Sequence, residues 1–491
     1  MVDDGNGSGE VVLSGGESAS AHMHRVLSAA VEAHPGVFEA VDLGSVGRFR
    51  DSYPDLLPRF EAARAGSTSR CEIAADLVHE SRSVLAWRTG TGEIPVRDHI
   101  NRSSEPLAVE SRALAGRSRL LPMVPVDGAD LTGAALTAFA RDLAARGSAS
   151  VSVGEAVEWI VERAGADGLD LSGHRIVVLG AAAELAPTRL WLQGGADVLW
   201  IDVTPPPAEL LGSSTLSGRI HWVPTGADIL GAPHRVKSTI EEFAGDEAVD
   251  IGLYAYAPGG AREWRLTGAM NAIIDSLPAG AVRSVAMLVS PTTCGVLTAS
   301  ELEGEARRRH DRARWQAVAD RIGLLGRGGG HARNGDTCTN RGIVAIQGSS
   351  YQAAQYLGKL MAAEAWATGD PGRHVSVNTA GVSRTASVRH PVFDTAFGGA
   401  RAFGVETFDP ATTAALNGLL TLRDRLDPTS PANTDGADPM SMPERAGALT
   451  TTRVHGGIYE LPYPIAPTLR IATTLGVARD PRRIAPLIRR R

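Results

Sequence analysis

The stretch "HRIVVLGAAAELAPTRLWLQGGADVLWIDV", residues 174–203, decides the fold class that this sequence predicts. An apolar run ends at Gly180, a turn of small residues leads into an amphipathic segment, and a second apolar run ends at Asp202. Short apolar runs separated by a helical pattern are typical of parallel strands that are buried on both faces. The stretch therefore predicts a strand–helix–strand unit of a parallel α/β sheet.

The same alternation continues along the chain, with further apolar runs at 250–260, 283–290, 342–348 and 374–381. Apolar residues before position 150 recur mainly at helical spacing instead. We therefore predict an α/β fold with a doubly wound, Rossmann-type parallel sheet and a mostly helical N-terminal region. The predicted divisions are a disordered N-terminus (1–20), the helical region (21–150), the α/β domain (151–425, with an insertion at 295–341), and a mobile loop with a C-terminal extension (426–491).

The turn after Gly180 is the predicted cofactor site. Backbone N–H groups of a small-residue turn can approach a pyrophosphate, and an acid 22 residues later can accept hydrogen bonds from ribose hydroxyls. Glu184 and Ala186 stand near the places of two further glycines of the full fingerprint, and Glu184 repels a pyrophosphate unless it points away. A weakened or lost nucleotide site is the alternative. No arginine directly follows Asp202, which favours NAD over NADP. The predicted cofactor contacts here are Gly180, Ala181, Glu184, Leu185, Asp202 and Val203.

Later segments follow one another in an order that is similar to a known superfamily. These are "YAYAPGG" (254–260), "VAMLVSP" (285–291), "YQAAQYLGK" (351–359) and "VSVNTAGVSRT" (375–385). With the Gly180 turn they make residues 174–405 resemble a divergent short-chain dehydrogenase/reductase. The resemblance implies further cofactor contacts at Ala257, Gly259, Ala380, Gly381 and Thr385.

The resemblance also implies catalytic residues. Tyr351 takes the place of the family's general acid/base, and Ser290, or Thr292 in its stead, that of the serine that polarises the substrate oxygen. The family's lysine, four residues after the tyrosine, is replaced by Gln355. Lys359 comes eight residues after Tyr351, roughly 80° round a helix and about 12 Å along it. Tyr356, three residues before Lys359, is therefore the second-choice acid/base.

The insertion separates the two main catalytic candidates, since Ser290 and Tyr351 are 61 residues apart. Projecting from the carboxyl ends of the strands, residues 295–341 would cover the mouth of the site, and their glycines supply mobility. A solvated loop without a catalytic part is the alternative. The three cysteines, Cys71, Cys294 and Cys338, have no metal-ligand spacing, so we predict no metal site.

Composition limits the partners. The net charge of −6 and the pI near 6.1 give no electrostatic case for binding nucleic acid or an anionic membrane. The sequence has neither a secretory leader pattern nor an apolar run of about 18 residues, so we predict a cytoplasmic protein with no membrane partner. A small-molecule substrate is expected, and the resemblance allows a homo-oligomer.

Three functional hypotheses follow. The first is an NAD-dependent oxidoreductase that acts on a carbonyl, an alcohol or an activated double bond of a specialised small molecule. The second is a redox-neutral cyclase, dehydratase or isomerase on the same fold, with NAD structural or absent. The third is a non-catalytic binding protein.

Overall fold

The computed structural model describes residues 9–116, 119–370, 372–386, 391–435 and 440–479. These residues form fourteen strands: β1 (Glu10–Leu13), β2 (Leu85–Thr89), β3 (Gly92–Pro95), β4 (Glu110–Ala113), β5 (Met123–Val126), β6 (Ala129–Thr132), β7 (Arg175–Leu179), β8 (Asp197–Ile201), β9 (Arg219–Trp222), β10 (Val249–Leu253), β11 (Val282–Val289), β12 (His331–Asn334), β13 (Thr337–Asn340) and β14 (His374–Thr379).

The α-helices of the described residues are α1 (Ala19–Ala33), α2 (Val46–Ala65), α3 (Arg70–Ser83), α4 (Val96–Ile100), α5 (Gly133–Ala145), α6 (Val151–Ala164), α7 (Thr188–Gln193), α8 (Ala208–Leu211), α9 (Pro233–Ala244), α10 (Arg262–Ser276), α11 (Ala299–His310), α12 (Arg314–Arg321), α13 (Gly348–Gln355), α14 (Ala362–Gly369), α15 (Pro391–Ala400), α16 (Pro410–Leu426), α17 (Met442–Ala448) and α18 (Ile465–Arg479).

A seven-stranded sheet forms the centre, in the order β14-β11-β10-β7-β8-β9-β4. Its first six strands are parallel, and β4 pairs antiparallel to β9 at one edge. Numbered in chain order, the parallel strands lie side by side as 6-5-4-1-2-3. The predicted α/β class with a mostly parallel sheet is therefore confirmed.

Both faces of the sheet are covered, as alternating side chains of a strand require. On β7, Val177 and Leu179 belong to a core shared with α1–α4, α9, α10, α13 and α14. Ile176 and Val178 belong to a second core on the opposite face, shared with α5–α7 and α16. The near-continuous apolar runs seen in the sequence are thus the inner strands of this sheet.

The N-terminal region contains more strand than the helical spacing predicted. The helices α1–α3 are present, but β2 and β3 form a hairpin and β4 joins the central sheet. Residues 10–13, which fell in the segment predicted to be disordered, form β1 and pair with β2. Val11 is fully buried there. The three apolar residues Val11–Leu13 are lost in an average over the composition of this Gly/Ser-rich segment, but they are enough to add a third strand to the hairpin.

The insertion at 295–341 is folded. It contains α11, α12 and the hairpin β12–β13, and α11 begins with a capping box between Thr298 and Glu301. The hairpin lies on α2, where the Thr339 hydroxyl donates to the Pro58 carbonyl at 2.6 Å. Glu301 forms a buried ion pair with Arg453. These contacts bind the insertion to the N-terminal helices and to the C-terminal segment.

The carboxyl ends of the strands that position the site lie at the same edge of the sheet. The register pairs Leu179 with Leu253, Leu253 with Met287, and Val289 with Thr379. The segments that leave β7, β10, β11 and β14 therefore meet at one edge, where parallel sheets usually bind ligands. Among the described residues, no helix is long and apolar enough to cross a bilayer.

Candidate active site at the carboxyl ends of the strands

The segment after β11 carries two hydroxyl side chains. The Ser290 Oγ and Thr292 Oγ1 atoms are 2.8 Å apart, and the Thr292 N–H donates to Ser290 Oγ at 3.2 Å. The Thr292 hydroxyl donates to the amide oxygen of Gln347 at 2.8 Å. Because the single hydroxyl proton of Thr292 is used there, Ser290 is the donor in its bond to Thr292.

Tyr351 joins this pair from the first turn of α13. Its side chain lies beside those of Ser290 and Thr292, near enough for both hydroxyls to lower its pKa, and all three residues are half-buried. The start of α13 therefore brings three half-buried hydroxyl side chains together, those of Tyr351, Ser290 and Thr292.

Two glutamines attach the start of α13 to the same segment. Gln355 Oε1 accepts the backbone N–H of Ser290 at 2.9 Å, and Gln352 Nε2 donates to the Thr292 carbonyl at 2.9 Å. Gln355, which stands in the place of the family's lysine, therefore fixes the Ser290 backbone. It acts on Tyr351 only through Ser290.

The charged neighbour of Tyr351 is a carboxylate. Glu263, on the first turn of α10, is 8 % exposed and accepts from the Ser350 hydroxyl at 3.0 Å and from the Gly259 N–H at 3.4 Å. Burial raises the pKa of the Tyr351 hydroxyl, the bonds with Ser290 and Thr292 offset part of the rise, and Glu263 adds to it. The phenol therefore stays protonated at neutral pH, which suits it to donate a proton.

This electrostatic arrangement predicts the titration of Tyr351. Glu263→Gln should lower the pKa of the Tyr351 hydroxyl, and Ser290→Ala should raise it, because one removes a negative charge and the other a stabilising hydrogen bond. Carbon-13 NMR of ring-labelled tyrosine, assigned with Tyr351→Phe, measures both shifts. Glu39→Gln, at an exposed position, is the control. A Tyr351 pKa below that of free tyrosine would contradict this electrostatic picture.

Tyr356 and Lys359 lie in a different environment. Residues 356–361 form a π-helix between α13 and α14, whose wider turn rotates the residues that follow. The Tyr356 hydroxyl donates to Glu61 Oε2 at 2.6 Å in the core, and Lys359 Nζ donates to the Leu288 carbonyl at 2.6 Å. Burial lowers the pKa of Lys359 to about 8. The two residues thus contact α2 and β11 respectively, and neither contacts the Ser290–Tyr351 pair.

The turn after β7 has the predicted shape, but its polar groups are engaged within the chain. Asp202 Oδ2 accepts the Ala182 N–H at 3.0 Å, and Oδ1 accepts the N–H and the hydroxyl of Thr204, each at 3.0 Å. Ribose hydroxyls and a pyrophosphate would have to compete with these bonds. The helix that follows, α7, is only six residues long, so its dipole adds little attraction for an anion.

Glu184 adds a negative charge at the same place. Its carboxylate is exposed and accepts the backbone N–H of Ala386 at 2.6 Å, in the segment after β14. In the sheet, β10 and β11 separate β7 from β14, so this contact keeps Glu184 at the edge where a dinucleotide would lie. Asp202 is hydrogen-bonded within the chain, and Glu184 places a negative charge at the same edge of the sheet. The residues of the turn therefore do not fit a bound NAD in this arrangement.

Most of the other predicted cofactor contacts pack against neighbouring parts of the chain. Ala181 is buried in the second core, and Leu185 packs against it. Val203 is 67 % exposed, and Ala257 packs against the first core. Ala380 and Gly381 leave β14 beside the ring of Phe408. Thr385 lies in the same segment, two residues before the described chain is interrupted at 387.

Gly180 is required for packing. Its φ is +89°, and a Cβ there would lie 2.1 Å from the Ala255 nitrogen. We expect Gly180→Ala to cost more than the roughly 1–3 kcal/mol typical of a strained backbone. Gly259→Ala is the matched control, because its φ is +83° with open space around it. Thermal denaturation of both variants measures the difference, and equal melting temperatures would contradict the packing argument.

Sequence reasoning missed Glu263, Gln347 and Gln352. Glu263 sits in the first turn of a helix, where acids are common for reasons of capping and dipole alone, so its type carried no signal. Gln352 is next to Tyr351, and its position on a helix entering the site was the only available indication.

Comparisons with known proteins leave the family open. No family model matches the chain, and no curated protein matches it. A solved structure, the MalC reductase/Diels-Alderase from Malbranchea aurantiaca, aligns with 59 % of this chain and 96 % of its own length, at 11 % identity and a TM-score of 0.32. Values this low assign neither a family nor a function.

Proposed function

We propose that this protein is an enzyme that carries out a redox-neutral reaction on a small molecule, with Tyr351 as the proton donor. The observation that carries the proposal is the contact of the Tyr351 hydroxyl with Ser290 and Thr292 beside the Glu263 carboxylate. Within the described residues, the groups acting on this phenol include no cation. A phenol without a cation is a poor base at neutral pH but a competent acid.

The residues define a proton path. Tyr351 donates its proton to a substrate oxygen, and the Ser290 hydroxyl then supplies a proton to the Tyr351 oxygen. Thr292 in turn supplies a proton to Ser290, and a water molecule at this half-buried segment returns a proton to Thr292. Dehydrations, isomerisations and cyclisations, the reactions of the second hypothesis, can all be driven by protonation of an oxygen without a hydride.

The scaffold proposal is a doubly wound Rossmann-type sheet derived from the short-chain dehydrogenase/reductase type. The 3-2-1-4-5-6 order of the parallel strands and the helices on both faces support it. The meeting of Ser290 and Tyr351, as the resemblance implied, also supports it. This chain departs from the family pattern at the lysine and at two glycines. These are the residues that serve hydride transfer in the family.

An NAD-dependent oxidoreductase is the second candidate. The strand order and the acid at the end of β8 favour it, because both belong to dinucleotide sites. It requires Asp202 to release Ala182 and Glu184 to move from the edge of the sheet.

Product analysis tests the proposal. The purified protein is incubated with a metabolite extract, without and with added NADH and NADPH, and mass spectrometry follows compounds consumed by wild type but not by Tyr351→Phe. A product of equal mass, or one water lighter, formed without nicotinamide supports the proposal. A product two hydrogens heavier that forms only with NADH or NADPH overturns it in favour of the oxidoreductase.

A further inference from the structure

A second cavity lies away from Tyr351. Its volume is about 810 Å³, within the range of small-molecule sites. Its wall comes from the β5–β6 turn, α5, the region where α11 passes into α12, and residues 401–412. In the part of the chain that the structure describes, Ser290, Thr292 and Tyr351 are not among the lining residues.

Arginines in the wall differ in their partners. Three of them pair with acids: Arg146 with Glu406, Arg308 with Glu460, and Arg312 with Asp320. The side chains of Arg384 and Arg401 have no acid partner among the described residues. Arg384 is half-buried, and its backbone is fixed by a bond from its N–H to the Phe408 carbonyl at 3.1 Å. Arg384 thus brings to the cavity a cation that pairs with no carboxylate of the described residues.

Two hydroxyls in the same wall also lack acceptors. Thr407 Oγ1 and the Tyr463 hydroxyl are buried, and neither has a hydrogen-bond partner in the described residues. Burial raises the pKa of Tyr463, and the Arg312 guanidinium, which is itself a donor, offsets part of that rise. Buried hydroxyls almost always find a partner, so a donor-rich wall of this kind calls for acceptors from outside the chain.

We propose that this cavity binds a small molecule through a carboxylate or phosphate group. Arg384 and Arg401 supply the charge, and the hydroxyls of Thr407 and Tyr463 supply two neutral donors. Oxyanions match this set because they only accept hydrogen bonds and pair bidentately with guanidinium groups. The site is independent of the reaction at Tyr351.

The remaining wall restricts the rest of the ligand. Phe139, Phe403 and Phe408 give it aromatic surface suited to an apolar body. Three exposed aspartates also line it, Asp127, Asp311 and Asp409, so a polyanion is disfavoured. The ligand class is thus a small apolar or aromatic compound with one acidic group.

Calorimetric titration of the full chain tests this site with phenyl phosphate, benzoate and, as the neutral analogue, benzyl alcohol. Binding of either anion without binding of the alcohol is expected, and the preferred anion identifies phosphate or carboxylate as the source. Arg384→Gln and Arg401→Gln should each weaken binding about tenfold or more, the usual effect of losing a hydrogen bond to a charged group. Arg163→Gln, at an exposed position outside the cavity, should bind as wild type.

Thr407→Val separates a binding role from a structural one. Removing a buried hydroxyl that has no partner should leave the melting temperature of the free protein unchanged or higher, while weakening binding of the anion. Absence of binding by both anions would overturn the proposal. Equal affinity in wild type, Arg384→Gln and Arg401→Gln would also overturn it.

Discussion

Replacing Arg64 by alanine is expected to destabilise the protein by about 3–5 kcal/mol, because it leaves buried carboxylates without their partner. Arg64 is completely buried and bonds Glu61 at 2.7 and 2.8 Å and Glu364 at 2.9 and 3.0 Å. Arg70 bonds Glu364 as well, at 2.7 Å. The network joins α2 and α3 of the N-terminal region to α14 beside the sheet.

Urea denaturation of Arg64→Ala and of Arg59→Ala measures this effect. Arg59 lies on the same helix and is exposed, so its replacement should change stability by no more than about 0.5 kcal/mol. Equal midpoints for the two variants would show that the N-terminal helices are held to the sheet without this network.

The same network gives stability a dependence on acid. Burial disfavours the charged form of Glu364, but Arg64 and Arg70 outweigh it and hold the pKa of Glu364 below its ordinary value. A carboxyl whose folded-state pKa is lowered contributes stability above its unfolded pKa, and that contribution is lost as the pH falls through the folded value. Wild type should therefore lose stability below the ordinary glutamate range, and Glu364→Gln should lose less over that interval.

Replacing Tyr351 by phenylalanine is expected to lower turnover about 10²- to 10⁴-fold, the usual contribution of a positioned acid. The ring and its T-shaped contact with Tyr256 remain, so the variant removes only the hydroxyl group. Ser290→Ala should have a smaller effect, because the Thr292 hydroxyl still lies beside the phenol and lowers its pKa. Steady-state kinetics on the substrate found by product analysis measures these differences.

A matched variant identifies a loss specific to this hydroxyl. Tyr254→Phe also removes one buried hydroxyl, which hydrogen-bonds Thr421 on the opposite side of the sheet. Wild-type turnover is expected for Tyr254→Phe. If Tyr351→Phe also turned over at the wild-type rate, Tyr351 would not be the proton donor.

The inner strands β7, β8 and β11 of the central sheet could be predicted from local sequence patterns. The apolar runs at 174–180, 196–203 and 283–290 became β7, β8 and β11, because strands buried on both faces need apolar residues at every position. The edge strand β4 had no such pattern, since "ESRA" is exposed and pairs only through its backbone. Another apolar run, at 342–348, does not form a strand: Ala345–Gln347 make a short 3₁₀ turn, and α13 begins at Gly348. The run lies outside the sheet because the folded insertion precedes it.

The site was predictable only in part. The order of the sequence segments suggested Ser290 and Tyr351 as site residues although an insertion separates them. In the structure their side chains lie together. The π-helix at 356–361 had no sequence signal, because it depends on how α13 and α14 pack on their neighbours. The Tyr356–Lys359 pair read from helical spacing therefore does not exist: Tyr356 faces Glu61, and Lys359 faces β11.

Calorimetric titration of the purified protein with NAD, NADH, NADP and NADPH tests the central claim most directly. A redox-neutral site with Glu184 at the sheet edge and Asp202 bound to Ala182 predicts no binding of any of the four at micromolar concentration. Micromolar binding of NAD or NADH that is lost in Asp202→Ala would contradict that prediction and make hydride transfer the working model for this site.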